Sequence, residues 1–320
     1  MKNKIKVLTG NAIQVMQNID SESVDLIIAD PPYNLGKDYG NGSDEKSFEE
    51  YIIFTQNWIK QAKRILKKTG TIYVFMGFRF ISYLYNILEK EYSFKFINWI
   101  CWHYTQGIGK KKGFSPRHDD ILVFSKSSNY TFNLDSIRVP QKYYRSINNM
   151  RGANPGDVWQ FSHIHYCQEN RQNHPTQKPE GLIERMVLAS SNENDLVVDP
   201  FCGSGTTLRV CQQLNRNCIG IELNEDYVNM TKARLKEEFS GFDSIDPRME
   251  RVPNDLNDPI IREEYLENHI KWFLKNHEDS LQIFYNKVQK KYGDKIKRNK
   301  SDLDELPLFN SKKGITTVST

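Results

Sequence analysis

"LVVDPFCGSGTTLRVCQQL", Leu196 to Leu214, decides the fold. A short apolar run ends in an acid, a turn carries Gly203 and Gly205, and apolar residues then recur at helical spacing. Glycines where a strand meets a helix allow a tight bend and close approach of backbone to a ligand. "CIGIELN" (218–224) reads as the next strand and "EDYVNMTKARLKEEF" (225–239) as the next helix. Strand, turn, helix and strand in succession specify a parallel sheet with right-handed crossovers.

The turn also narrows the ligand. Asp199 ends the first strand, the following helix start offers N–H groups, and Glu222 ends the next strand about 23 residues beyond Asp199. An α/β nucleotide fold places its ribose-binding carboxylate there. A phosphate-binding P-loop ends in Gly-Lys-Ser/Thr, whereas this turn ends in Gly205-Thr206-Thr207. No basic residue stands in it to meet a pyrophosphate, and the third glycine of a dinucleotide fingerprint is replaced by Leu208. An adenosine without phosphates fits better and points to S-adenosylmethionine. On spacing alone, a purely structural turn with a capping glycine stays open.

Upstream, the chain alternates in the same way. "KIKVLTG" (4–10), "VDLIIAD" (24–30) and "GTIYVFM" (70–76) read as strands, and "NAIQVMQNI" (11–19), residues 48–68 and "FRFISYLYNILEKE" (78–91) as helices. In the second helix Tyr51, Phe54, Trp58, Ala62 and Ile65 share one face. "FINWICWHY" and "DDILVFSKS" read as two strands joined by a Gly/Lys-rich loop. The pattern breaks over about 126–173, a polar stretch read as an insert, and resumes with a helix over 178–191. From 241 the composition turns to Asp, Pro and Asn, a linker before amphipathic helices over 259–292 and a polar tail.

The second strand ends unusually, in Asp30-Pro31-Pro32-Tyr33. Two prolines stop a strand, since they fix φ and bring no N–H. They also stiffen a turn so that a carbonyl can be aimed. The exocyclic amine of a nucleobase is a poor nucleophile because its lone pair is delocalised into the ring. Acceptors set against its N–H bonds favour the tetrahedral nitrogen that attacks a methyl group, more in the transition state than in the ground state. Asp30 supplies a carboxylate acceptor, Pro31 a carbonyl, and Tyr33 a face for the base, worth about 1–3 kcal/mol by stacking. A base inside a duplex has to be flipped out to reach them. The sulfonium methyl is already activated, so no metal is required. Taken alone, the tetrapeptide serves equally well as a strand terminator.

The bulk numbers fit this reading. The chain of 320 residues is 38% hydrophobic and 26% charged, ordinary for a globular protein with a sizeable core. No apolar run approaches the about 18 residues of a membrane span. The first ten residues hold no secretory segment, so no membrane association and a cytoplasmic address are expected. Five cysteines without a CxxC pair argue against a disulfide framework or zinc ribbon. His163, His165, Cys167 and His174 form a zinc-like cluster, but no second ligand pair follows at finger spacing.

Together the two motifs resemble the amino-group DNA methyltransferases, adenine-N6 or cytosine-N4. Asp-Pro-Pro-Tyr matches the catalytic motif and "DPFCGSGTT" the S-adenosylmethionine loop, in the order of the β-type permutation. "HPTQKPEGLIERMV" (174–187) is similar to the family's loop and helix over the methionine end of the cofactor, and "FINWICWHY" to its flipped-base pocket. The likeness covers about residues 4–236. It implies a Rossmann-like S-adenosylmethionine-dependent methyltransferase fold. That is an α/β, mostly parallel twisted sheet flanked by helices, with an inserted target-recognition region and a helical C-terminal extension. Residues 1–128 would form the catalytic part, 129–173 the target-recognition region, 174–240 the cofactor-binding part and 241–320 the linker and extension.

The catalytic set implied is Asp30, Pro31, Pro32 and Tyr33. The cofactor set implied is Asn11, Asp30, Lys178, Asp199, Phe201, Cys202, Gly203, Ser204, Gly205, Thr206, Glu222 and Asn224. Asn11 is a departure, because the turn after the first strand usually carries an Asp against the adenine ring. The Asp of Asp30, where cytosine-N4 enzymes more often carry Ser, favours adenine-N6. A catalytically silent DNA-binding regulator on the same fold is the rival of another class.

Double-stranded DNA is the implied partner. Lys110, Lys111, Lys112 and Arg117 in a basic loop suit phosphates, and Arg145 and Arg151 in the variable region suit base edges. A solvated hairpin tip explains the lysines equally well. A cluster of basic residues from Lys287 to Lys300 reads as a DNA-backbone contact, a homodimer contact or a solvated helix end. The family also suggests a restriction–modification system with a cognate endonuclease sharing the site.

Overall fold

In the computed structural model the described residues are 4–36, 45–104, 109–139, 152–164 and 171–239. The chain divides into units 1–256 and 257–320. The second lies outside the described residues, and with it the helices expected over 259–292 and the basic cluster.

Eight strands among the described residues form one sheet: β1 (Ile5–Thr9), β2 (Val24–Ala29), β3 (Leu66–Met76), β4 (Lys95–His103), β5 (His118–Ser125), β6 (Val158–Gln160), β7 (Leu196–Asp199) and β8 (Asn217–Glu222). Their order is β1-β8-β7-β2-β3-β5-β4-β6. From β1 to β3 every neighbour is parallel, β5 runs antiparallel to β3 and β4, and β6 is parallel to β4. The decisive pairing is β2 with β7, Leu26 opposite Val197 and Ile27 opposite Val198. It sets the ends of two strands about 170 residues apart in sequence side by side.

Helices cover both faces, which is why the central strands read as near-continuous apolar runs. Side chains alternate along β2. Ile27 and Ala29 enter the core beneath α1 (Ala12–Gln17), α2 (Phe48–Ile65) and α3 (Ile81–Asn86). Leu26 and Ile28 enter the opposite core with α4 (Glu180–Ser190) and α5 (Thr206–Gln213). After β8 the chain forms α6 (Glu225–Arg234). No helix among the described residues is long and apolar enough to cross a membrane.

The structure adjusts three expectations. Helix α2 starts at a reciprocal Ser47–Glu50 capping box and stops at Ile65, with Leu66 already extended. Strand β3 therefore begins at Leu66, before the glycine that seemed to open it. Its register against β2 shifts between Val24 and Leu26. Gly70 sits at that irregularity, where a Cβ would lie 2.7 Å from the Leu66 side chain and 3.0 Å from the Asp25 carbonyl. Phe54 is only half-buried in α2, while Thr55 is buried. The helix expected over 78–91 is α-helical for one and a half turns and then continues as a π-turn, Ile87–Glu91, which buries both Ile87 and Leu88.

Candidate active site

Strand β2 is apolar until Ala29, and the prolines end it there, so Asp30 emerges at the sheet's C-terminal edge. Ligands bind at that edge in open α/β sheets. One carboxylate oxygen of Asp30 accepts from the Tyr33 hydroxyl at 2.9 Å, and the other accepts from Lys178 Nζ at 2.5 Å. The Pro32 carbonyl accepts from the buried Tyr51 hydroxyl at 2.8 Å. Asn34, at φ 56°, both donates to and accepts from the Lys46 backbone. The turn is thus pinned to α2 through Tyr51 and to the residues before it through Asn34. Of this turn's two prolyl carbonyls, that of Pro31 has no partner among the described residues, and it is the one expected to meet an amine.

The neighbouring strand β7 ends at Asp199, whose carboxylate accepts from the Phe201 N–H at 3.0 Å. The ring of Phe201 stands edge-on to Trp58 at 5.6 Å. Burial holds the Cys202 thiol well above its usual range, and its sulfur packs against Gly220. Cys202 therefore offers the site backbone rather than a reactive thiol.

Gly203 and Gly205 have φ of +47° and +75°. A Cβ on Gly203 would lie 2.7 Å from His174 Nε2, and one on Gly205 2.4 Å from Thr231 Cγ2. Gly205→Ala adds about 1–3 kcal/mol of backbone strain to that clash. We expect at least a tenfold weaker affinity for S-adenosylmethionine, measured by calorimetry.

Glu222, at the end of β8, accepts from the Gly203 and Asn224 N–H groups, each at 2.9 Å. Asn224 in turn caps α6 through the Asp226 N–H. Asn11 lies on the same edge, because Gly10 donates to the Glu222 carbonyl. Its side-chain oxygen caps α1, accepting from Ile13 and Gln14. Ser204 and Thr206 are buried, and the Thr206 hydroxyl donates to the Lys178 carbonyl at 3.2 Å. All the cofactor residues expected from the sequence therefore gather along one edge.

The donor set suits a cation rather than a phosphate. Asp199 is buried near both Asp30 and Glu222 and is pushed up to about 7, by burial first, while hydrogen bonds from Thr207 and Phe201 oppose the rise. Burial likewise raises Glu222, against N–H groups of Asn224, Gly203 and Leu223. A raised carboxyl holds its proton longer in the folded state than in the unfolded chain. The stability this confers is complete below the ordinary carboxylate range and is lost as pH rises to about 7. In ligand-free protein, Asp199→Asn should flatten that decline between pH 4 and 7, read as urea midpoints across the range.

Some functional neighbours were not evident in the sequence. Phe75 stands against the Lys178 ammonium with its centroid at 5.0 Å, beside Trp102 at 5.9 Å, which belongs to the stretch likened to the flipped-base pocket. Glu180 bridges Arg209 and Arg234 inside the protein. His174, first read as a zinc candidate, packs on Tyr227 and beneath Gly203, and His163 lies against Trp102 and Tyr104. His165 and Cys167 lie outside the described residues, as do Arg145 and Arg151. Lys110, Lys111 and Lys112 are exposed and Arg117 half-buried. They stand in the loop before β5, whose first turn of pairing, Asp120 opposite Met76, places that loop at the catalytic edge.

A carboxylate and a carbonyl at the end of one parallel strand, beside a glycine turn at the end of the next, define a group-transfer site of the doubly wound α/β kind. The chain belongs to the N6/N4 DNA methylases: the family model described as DNA methylase matches residues 24–233, which include both motifs. It is 58% identical over 299 residues to the type II methyltransferase M.HpaI of Haemophilus parainfluenzae, covering 93% of this chain and 95% of that one. The DNA adenine methyltransferase YhdJ of Escherichia coli (strain K12) is 37% identical over 242 residues, covering 72% and 82%. Among solved structures, the M1.HpyAVI–SAM complex is 26% identical with a TM-score of 0.54, over 73% of this chain and 100% of that one. The PvuII cytosine-N4-specific DNA methyltransferase, 18% identical, gives a TM-score of 0.61 over 74% and 88%, a likeness of fold alone. The family and fold expected from the two motifs are borne out.

Proposed function

We infer that the protein is a sequence-specific DNA adenine-N6 methyltransferase using S-adenosylmethionine, the modification enzyme of a restriction–modification system. The observation that carries this is the juxtaposition of Asp30 and the Pro31 carbonyl with the Gly203–Gly205 turn, linked through Lys178 and Thr206. Asp199, Glu222 and the turn's backbone would hold the cofactor, and the two acids suit a positively charged ligand with hydroxyls. S-adenosylmethionine supplies an activated methyl group when bound. Asp30 and Pro31 accept the N–H bonds of the target amine and favour its tetrahedral form. Tyr33 stacks the base and, through its hydroxyl, holds the Asp30 carboxylate in place.

Adenine rather than cytosine is supported by Asp30 in the motif's first place and by the likeness to YhdJ, named as an adenine methyltransferase. Lys110, Lys111, Lys112 and Arg117 suit phosphate contacts beside the site, and residues 129–173 suit target recognition. The likeness to a type II methyltransferase supports a cognate endonuclease that shares the site. Long-read detection of modified bases in DNA from cells expressing the protein tests the reading. N6-methyladenine within one recurrent sequence is expected. Unmodified DNA, despite folded protein, would favour the silent regulator.

A further inference from the structure

Lys178 reaches the catalytic edge from the loop before α4. Its ammonium lies 2.5 Å from Asp30 Oδ2, with the ring centroids of Phe75, Tyr33 and Trp102 at 5.0, 5.6 and 5.9 Å. The lysine side chain is 10% exposed. An N–H donor on a carboxylate, walled by aromatic faces, is also the arrangement an aromatic amine needs at this spot. Each carboxylate oxygen of Asp30 already holds one donor, and the Lys178 ammonium fills the aromatic-walled space beside it, so an arriving amine competes with Lys178 for that place. The Tyr33 hydroxyl belongs to the same rigid turn as Asp30. Lys178 is on a separate segment, its backbone carbonyl anchored by Thr206, and its flexible four-carbon stem can carry the ammonium elsewhere without moving that segment.

We propose that Lys178 Nζ stands in the subsite of the target amine and is exchanged for that amine when the base enters, with the charge of the bound cofactor governing the exchange. The proposal rests on the reading of the site as an S-adenosylmethionine-dependent DNA methyltransferase. A methyl donor serving an amine at Asp30 has to come within about 3–3.5 Å of it. A cationic sulfur there repels the ammonium in a poorly hydrated pocket, and a neutral thioether does not. The charged cofactor therefore favours withdrawal of Lys178 and entry of the base, while the spent cofactor favours its return. Lys178 is accordingly a positioning residue acting on Asp30 and on the occupancy of the pocket.

The test uses the full chain and a duplex carrying fluorescent 2-aminopurine at the mapped target position, whose emission rises when the base leaves the stack. Sinefungin, which carries an ammonium in place of the sulfonium, is compared with S-adenosylhomocysteine at saturation. For the wild type, emission at least about threefold higher with sinefungin is expected. Lys178→Met should give high emission with either ligand, and Lys178→Arg, which keeps the charge, should preserve the wild-type ratio. Equal emission with both ligands in the wild type would overturn the proposal. So would low emission with both in Lys178→Met, the result of a plain structural ion pair. If Lys178→Met fails to fold, the wild-type ratio and Lys178→Arg still decide. Absence of labelled methyl transfer by the wild type would defeat the functional reading itself. Transfer with equal emission would defeat the exchange alone.

Discussion

Asp30→Ala should lower the single-turnover rate of methyl transfer by at least about 10²–10³-fold, the range for losing one preorganised electrostatic partner of a transition state. Affinity for S-adenosylmethionine should stay within a few-fold of wild type. The carboxylate lies at the end of β2, outside the Gly203–Gly205 turn, so its removal leaves that turn's own hydrogen bonds from Gly203 to Glu222 and from Phe201 to Asp199 intact. The loss falls on the reacting amine, whose N–H bonds become stronger donors as the nitrogen acquires the methyl group. Asp30→Asn keeps the shape and a neutral acceptor and should fall between the two. Single-turnover kinetics separate this loss from product release, and calorimetry reads the cofactor independently. Near-normal turnover by Asp30→Ala would remove Asp30 from the chemistry.

Glu180→Ala should destabilise the protein by about 3–5 kcal/mol, the cost of removing one partner from a buried ion pair. Glu180 Oε1 lies 2.7 Å from Arg234 Nη2 and 3.1 Å from Arg209 Nε, and all three side chains are almost wholly buried. Without the carboxylate, two guanidinium groups are left facing each other in the interior. Arg234 also donates to the Ser204 carbonyl and the Thr206 hydroxyl, at 3.0 Å each. The damage should therefore reach the cofactor turn and weaken S-adenosylmethionine binding as well. Glu180→Gln retains an acceptor and should lose less. Urea unfolding without ligand gives the stability change, since bound cofactor would mask part of it.

The sheet was legible because its central strands are buried on both faces and stand out as apolar runs between helical patterns. The turn from Asp199 to Thr207 was legible because only glycine tolerates what happens at 203 and 205. What sequence distance hides is adjacency. Asp30 and Asp199 become neighbours only when β7 inserts beside β2, and the order of the motifs suggested this by resemblance alone. Phe75 lay in a run indistinguishable from core, so its place beside Lys178 could not be read, whereas Trp102 falls in the stretch that resembles the flipped-base pocket. Nothing in the sequence sets Glu180 apart from any acid in the first turn of a helix, where the dipole alone accounts for it. The arginines that make it a keystone come from α5 and α6. Asn11 illustrates the opposite case: a residue expected at the adenine ring has its side-chain oxygen committed to capping α1.

The central claim is that Asp30 and the Pro31 carbonyl grip an adenine amine. Mass spectrometry of nucleosides tests it most directly, on DNA methylated by the wild type and by Asp30→Ala at equal protein concentration. The account predicts N6-methyladenine from the wild type and almost none from the variant. N4-methylcytosine from the wild type, or undiminished N6-methyladenine from Asp30→Ala, would contradict it.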